Sequence, residues 1–329
     1  MLVYFLRRIL GLAAVLLTMS FAVFCLQSII PADPARAIAG PLTPLAKVDA
    51  LRQQFGLDDP IVVQYGRFLS RLAQGDLGAS VRTRQPVAAD IRQYLPASLE
   101  LSFAALCIGL LLVGILAVLP HIVGGSGGLR LLFIAAGSVP IFMSALLLVY
   151  VFWFRLGWLP GSGRMSDADF AGPTGFNLID TLISGSGDLS LDAIRHLLLP
   201  ACALALPIAV AVGRSLNSAL REVMQQAYIG TARGKGLRET AVVLRHGLRN
   251  AASPTLAMIG LQIRLLFGNL LIVELVFGWP GLGFYMVQSL TSADLPAVLG
   301  VTIVLGTFYI LVNIIVEILQ TLADPRIEL

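Results

Sequence analysis

The sequence predicts an all-α polytopic membrane protein with six transmembrane helices, and three observations carry that reading. Of its 329 residues, 57% are hydrophobic and only 13% are charged, with a mean hydropathy of +0.85, a balance that suits a chain whose solvent is mostly lipid. Six apolar runs approach the ~20 residues that a helix needs to cross a hydrocarbon core of about 30 Å. Outside those runs, lysines and arginines gather in particular connecting segments, which gives the spans a direction.

The first run, Ile9–Ile30, follows Arg7 and Arg8. It is longer than the roughly 7–15 apolar residues of a signal peptide, and the small-residue stretch Ala37-Ile38-Ala39 lies well past its end, so a retained helix is expected. Residues 1–30 therefore read as a cytoplasmic end and first span. Residues 31–96 read as an external cap: Val48–Phe55 has helical spacing, Gly56-Leu57-Asp58-Asp59-Pro60 breaks it, and Val62–Leu72 resumes it. A structural lid over the helix ends and a docking surface for a solute-delivering partner both fit that cap.

Residues 97–329 hold five more spans, near Leu99–Leu119, Leu131–Phe154, Leu197–Gly213, Thr255–Phe277 and Ala297–Leu322. Pro140 interrupts one, and Pro200 with Pro207 interrupt another. Carbonyls freed by proline need partners that lipid does not offer, so these helices are expected to face protein more than lipid. Arg7 and Arg8 before the first span, Arg130, and the loop with Arg214, Arg221, Arg233, Lys235, Arg238, Arg245 and Arg249 place those segments in the cytoplasm, with both termini inside. The loop after the third span leans acidic, with Asp167, Asp169, Asp180, Asp188 and Asp192 against Arg155, Arg164 and Arg195. Topology thus accounts for the net charge of +4 without nucleic acid.

The cytoplasmic segment 221–250 is longer than a plain connection between spans requires. Glu222–Arg233 and Glu239–Asn250 read as two short helices, and Gly234-Lys235-Gly236 as the break between them, an elbow that implies a partner. Catalytic chemistry finds no support. Gly230 to Lys235 has the spacing Gly-x-x-x-Gly-Lys followed by Gly, one residue short of a phosphate loop and without its Ser/Thr for magnesium. His121, His196 and His246 are scattered, there is no Gly-x-Ser-x-Gly elbow, and Cys25, Cys107 and Cys202 lie far apart in apolar runs, where they read as small buried residues. No metal site is expected.

Tyr228-Ile229-Gly230-Thr231-Ala232-Arg233-Gly234-Lys235-Gly236-Leu237, followed by Leu244-Arg245-His246-Gly247-Leu248-Arg249-Asn250-Ala251, resembles the ATPase-coupling motif of the dipeptide, oligopeptide and nickel permease family of bacterial ABC importers. In importer permeases that motif is Glu-Ala-Ala, three residues, Gly, nine residues, then Ile-x-Leu-Pro. Here Ala232, Gly236 and Leu248 fall on the second alanine, the glycine and the leucine, whereas Thr231 replaces the first alanine and Gly230 the glutamate. Further pieces of the resemblance run in order along the chain: Tyr4-Phe5-Leu6-Arg7-Arg8, Gly75-Asp76-Leu77-Gly78, Leu95-Pro96-Ala97-Ser98-Leu99-Glu100, Leu156-Gly157-Trp158-Leu159-Pro160, Glu274, Trp279-Pro280-Gly281-Leu282-Gly283 and Asp324-Pro325-Arg326.

The resemblance implies a type I importer permease fold, with Thr231, Ala232, Arg233, Gly234, Lys235, Gly236, Leu237 and Leu248 coupling to an ATPase. It implies a second homologous permease, two cytoplasmic ATPase subunits or domains that hold ATP and magnesium, an external solute-binding protein and a peptide-like solute; nickel, a metal chelate or another small solute is the alternative cargo. The chain itself would carry no cofactor.

One departure from the family lies in the fifth span, where Arg264 and Asn269 stand at positions that usually hold small residues. Nine residues into that span, or about 14 Å at ~1.5 Å per residue, Arg264 is close to mid-membrane, where a charge costs at least ~2.5 kcal/mol and must face protein or water. Arg264, Asn269 and Gln262 are accordingly the candidate lining of a translocation path, with Arg264 meeting a substrate carboxylate; a structural pairing with Glu317 or an acid on a partner permease is the competing role.

Overall fold

The computed structural model describes residues 2–26, 35–36, 43–123, 137, 139–167, 170 and 172–323. Among these residues the structure is helical, and its only β-pairing is an isolated antiparallel bridge between Ala79 and Pro86. The helices with described bounds follow in order: α1 (Leu2–Leu26), α2 (Leu45–Phe55), α3 (Ile61–Ala73), α4 (Val87–Val113, continuing through a π-helical stretch Gly114–Val118 to Leu119–Val123) and α5 (Ile141–Leu148, continuing as π-helix Val149–Arg155). Then come α6 (Asn177–Ile183), α7 (Gly187–Met224), α8 (Ala227–Gly234), α9 (Glu239–Ala241 through π-helical Val242–Gly247 to Leu248–Asn250), α10 (Ala252–Val276), α11 (Leu282–Thr291) and α12 (Leu295–Ala323).

Helices α4, α7, α10 and α12 are long and apolar enough to cross a membrane, and shorter apolar helices occupy Ala13–Cys25 and Ile141–Arg155. These six fall on the six expected runs. The expected edges need correction. Helix α4 begins at Val87, inside the segment assigned to the external cap, and passes through Pro96 without ending. Helix α7 has 38 residues, about 57 Å at ~1.5 Å per residue, so it overshoots a ~30 Å hydrocarbon core. Hydropathy finds where a helix meets lipid; it does not find the polar turns on either side, such as Asp90 and Arg92 on α4. Pro140 does not kink a helix but precedes one, with φ −54° and ψ 142° immediately before Ile141. The first part of that run, with Arg130, lies outside the described residues, as do Ala37-Ile38-Ala39, Asp169 and Asp324-Pro325-Arg326.

The chain divides into two compact units. The first comprises Met1–Pro96 and Gly281–Ile310. Here α3 is stapled to α1 by aromatic packing: Tyr65 lies edge-on to Phe21 and Phe24, and its hydroxyl donates to the Leu17 carbonyl at 2.9 Å. A buried polar cluster holds the rest of this unit. Tyr285 stacks on Tyr94, donates to Asp90 at 2.7 Å and lies under the Arg82 guanidinium, while Asp294 accepts from Ser80 at 2.5 Å and caps the start of α12 through the Ala297 amide. Burial, reinforced by the Asp90 carboxylate, pushes the Tyr285 hydroxyl well above its ordinary range.

The second unit comprises Ala97–Pro280 and Leu311–Leu329. Helix α7 is its axis: 67% of its most apolar window is buried, against 28–33% in the other three long helices. That inequality is what the two prolines anticipated, since Pro200 is buried and both prolines sit within one continuous helix surrounded by protein. The core joins Leu101, Ala105, Val113, Ala145, Leu204, Ile208, Val212, Leu266, Leu270 and Val273. A Cβ on Gly109 would stand 2.9 Å from Ile208, so α4 meets α7 as closely as a glycine allows. The cysteines depart from expectation: Cys25 and Cys202 are half-buried and Cys107 is exposed on an apolar helix surface.

Candidate coupling elbow and intramembrane polar site

The elbow starts where α7 ends. The expected first half-helix, Glu222–Arg233, is split: Glu222–Met224 complete α7, a bend at Gln225-Gln226 follows, and α8 begins at Ala227. The second half, Glu239–Asn250, is helical throughout, with i→i+5 bonding in its middle that ends in the Leu248 amide donating to the Val243 carbonyl. Such a stretch widens the helix locally. Ile229, Ala232 and Val242 form a small buried cluster with Val223 and Met224 against it, so the elbow has its own core.

Glycine makes the turn between α8 and α9. Gly236 adopts φ +78°, in the left-handed region. Its amide donates to the Arg233 carbonyl at 2.9 Å and the Leu237 amide to the Ala232 carbonyl at 3.4 Å, which is the paired bonding of a Schellman cap. Arg233 then clasps Glu239 across the turn through Nη2 at 2.6 Å and Nε at 3.1 Å. This bond holds the Glu239 carboxyl below the usual carboxylate range and raises Arg233 further above its own.

The expected coupling residues do not all occupy the same surface. Thr231, Arg233, Gly234, Lys235, Gly236 and Leu237 are exposed at the tip. Ala232 is buried inside the elbow, and Leu248 packs on the main core of the unit. Ala232 and Leu248 thus anchor the elbow, and the tip is the part of it left exposed. Tyr228, Leu237 and Leu244, at 44%, 39% and 50% exposure, add apolar area to that surface. Gly247 is an anchor that the motif spacing did not single out: a Cβ there would approach Leu220 to 3.1 Å, so α9 lies directly against the end of α7.

The three candidate path residues on α10 are separated. At ~100° per residue, Gln262 and Asn269 lie within about 20° of each other, whereas Arg264 is about 160° from Gln262. Gln262 falls on the stripe with Leu266, Leu270 and Val273 and is 7% exposed. Asn269 is half-buried. Arg264 points instead toward α12, where Nη1 donates to Asn313 Oδ1 at 2.6 Å and Asn313 Nδ2 donates to Glu317 Oε1 at 3.0 Å. The link toward Glu317 thus runs through an intervening asparagine, and among the described residues Arg264 makes no direct ion pair with it. Gly260, one turn earlier, lets the helices close: its Cβ would lie 2.3 Å from Val316 Cγ1.

A second polar cluster, where α4 begins and α10 ends within this unit, was not foreseen. Glu100 accepts from Arg164 Nη2 at 2.5 Å and from the Leu178 amide at 2.7 Å, and Arg164 also donates to the Gly175 carbonyl at 3.1 Å. The same guanidinium lies over Trp279, whose indole donates to the Ala97 carbonyl at 2.9 Å, and Ser98 donates to the fully buried Glu274 at 2.6 Å.

Comparison with known proteins bears on all of this. Residues 129–329 match the family model described as binding-protein-dependent transport system inner membrane component, and residues 1–102 match the model for its N-terminal region. The chain is 39% identical to the "Probable D,D-dipeptide transport system permease protein DdpB" of Escherichia coli (strain K12), over 98% of this chain and 96% of that protein. It is 39% identical to the di/tripeptide transport system permease protein DppB of Pseudomonas aeruginosa (strain UCBPP-PA14), over 100% of this chain and 99% of the relative. It is 34% identical, over 100% and 99%, to the glutathione transport system permease protein GsiC of Salmonella paratyphi A (strain ATCC 9150 / SARB42).

Proposed function

Because this chain belongs to the family of inner-membrane components of binding-protein-dependent transport systems, we propose that it moves di- and oligopeptides inward by alternating access, driven by partner ATPases. It is a multi-pass, non-catalytic permease subunit. The relatives named for D,D-dipeptides, di- and tripeptides and glutathione support a peptide cargo over a metal chelate.

The assembly in this reading holds a second homologous permease, two ATPase subunits or domains carrying ATP and magnesium, and an external binding protein; this chain contributes no cofactor. In this reading both termini and the elbow are cytoplasmic, which the basic short loops support. The observation that carries the reading is the elbow: a glycine turn with little side-chain bulk, stiffened by its own core and seated on the end of α7, the most deeply packed of the long helices. A rigid knob on such an axis converts movement of an ATPase into movement of the transmembrane bundle.

Arg264 is the cargo contact in this reading. Among the described residues it donates only to Asn313, and its remaining N–H groups suit a substrate carboxylate. The test is uptake of labelled dipeptide by proteoliposomes holding the four kinds of subunit. Accumulation that requires both ATP and the binding protein is expected; uptake by this chain alone without ATP contradicts the reading.

A further inference from the structure

The elbow tip carries three exposed cations close in sequence, Arg233, Lys235 and Arg238, and a partner with an acidic groove could use all of them. The geometry divides them. Arg233 presents two of its donors to both oxygens of Glu239, a bidentate arrangement that fixes direction as well as distance. Glu239 opens α9 and Arg233 is in the last turn of α8, so the pair closes the bend between the helices from outside. The Schellman turn at Gly236 and the buried Ile229, Ala232 and Val242 close it from inside. Neither Lys235 nor Arg238 has an ion-pair partner among the described residues.

We propose that Arg233 does not meet the ATPase but is a positioning residue: with Glu239 it sets the angle between α8 and α9, and it leaves Lys235 and Arg238 as the cations that face an acidic partner surface. The inference rests on the elbow being the coupling element. Its physical content is charge bookkeeping. A guanidinium already neutralised by a bidentate carboxylate offers little net charge to a third group, whereas a free lysine and arginine on either side of the glycine turn offer two.

The test uses the complete importer in lipid nanodiscs and reads ATP hydrolysis with and without dipeptide-loaded binding protein. Arg233→Glu and Glu239→Arg are each expected to lower the stimulated rate about fivefold, the factor appropriate to one well-formed exposed pair. The double exchange Arg233→Glu/Glu239→Arg is expected to recover it to within about twofold. Lys235→Glu with Arg238→Glu should lower the stimulated rate, with no recovery when the exchanged pair is added. Recovery identifies an intrachain clasp, because an Arg233 bound to the ATPase cannot be replaced by an arginine at position 239. A double exchange as impaired as Arg233→Glu overturns the proposal, as does an unimpaired Arg233→Glu. Gly236→Val separates the two levels: if it abolishes stimulation while Arg233→Glu does not, only the clasp fails, and if neither has an effect, the coupling role of the elbow fails with it.

Discussion

Arg264 shows how far one residue can be read from sequence and where a neighbour takes over. A lone arginine well inside an apolar span is costly unless it faces protein or water, by roughly 2.5–3.5 kcal/mol on insertion scales. That much was legible. That Asn313, 49 positions away, accepts its Nη1 bond was not, because no local pattern encodes which residue of the last helix comes alongside. Replacing Arg264 with alanine is expected to reduce uptake of dipeptides with a free C-terminal carboxylate about tenfold more than uptake of C-terminally amidated ones, the size of a charge-assisted hydrogen bond. Equal loss for both would reduce Arg264 to a tie between helices. Glu100 makes the complementary case. It pairs with Arg164 at 2.5 Å, and both side chains are largely buried, at 6% and 12% exposure. Glu100→Gln leaves the Arg164 charge without its counter-ion, so a stability loss of about 3–5 kcal/mol is expected in thermal unfolding of the reconstituted protein. A shift no larger than that of a surface substitution would show that water enters this cluster.

Elements were legible in proportion to the length of their apolar runs. The six apolar runs all fall on helices, but α4 and α7 extend well beyond the expected edges, and the ten-residue α11 was not anticipated because it is too short to register as a span. The elbow was found from its glycines, since a chain that must turn left-handed between two helices uses glycine, and Gly236 does so at φ +78°. Its internal bend at Gln225-Gln226 carried no such signal. Helix pairing was likewise hidden, although one glycine marks it in retrospect. Gly260→Val is expected to force α10 from α12, since even a Cβ would come within 2.3 Å of Val316 Cγ1. A destabilisation of about 1–3 kcal/mol should follow, and Val316→Ala in the same chain should recover most of it. An unfolding midpoint that Val316→Ala does not raise would place the strain elsewhere.

For the whole molecule, composition and the basic loops were enough to identify a polytopic membrane protein, and the ordered motifs pointed to an importer permease; the family match bears out both. What the motif could not supply was the division of labour within it: Ala232 and Leu248 anchor, while the residues from Arg233 to Leu237 are presented. The central claim is that this presented turn transmits the work of ATP hydrolysis to the bundle. Gly236 isolates that claim, because a Cβ there meets no atom within 4 Å, so a substitution acts chiefly on the turn's left-handed backbone, at a cost of about 1–2 kcal/mol. The most direct measurement is ATP hydrolysis by the complete importer in nanodiscs, with and without peptide-loaded binding protein, for wild type and Gly236→Val. Strong stimulation of the wild type and its loss in a variant that still assembles is the predicted result; stimulation undiminished in Gly236→Val would contradict the account.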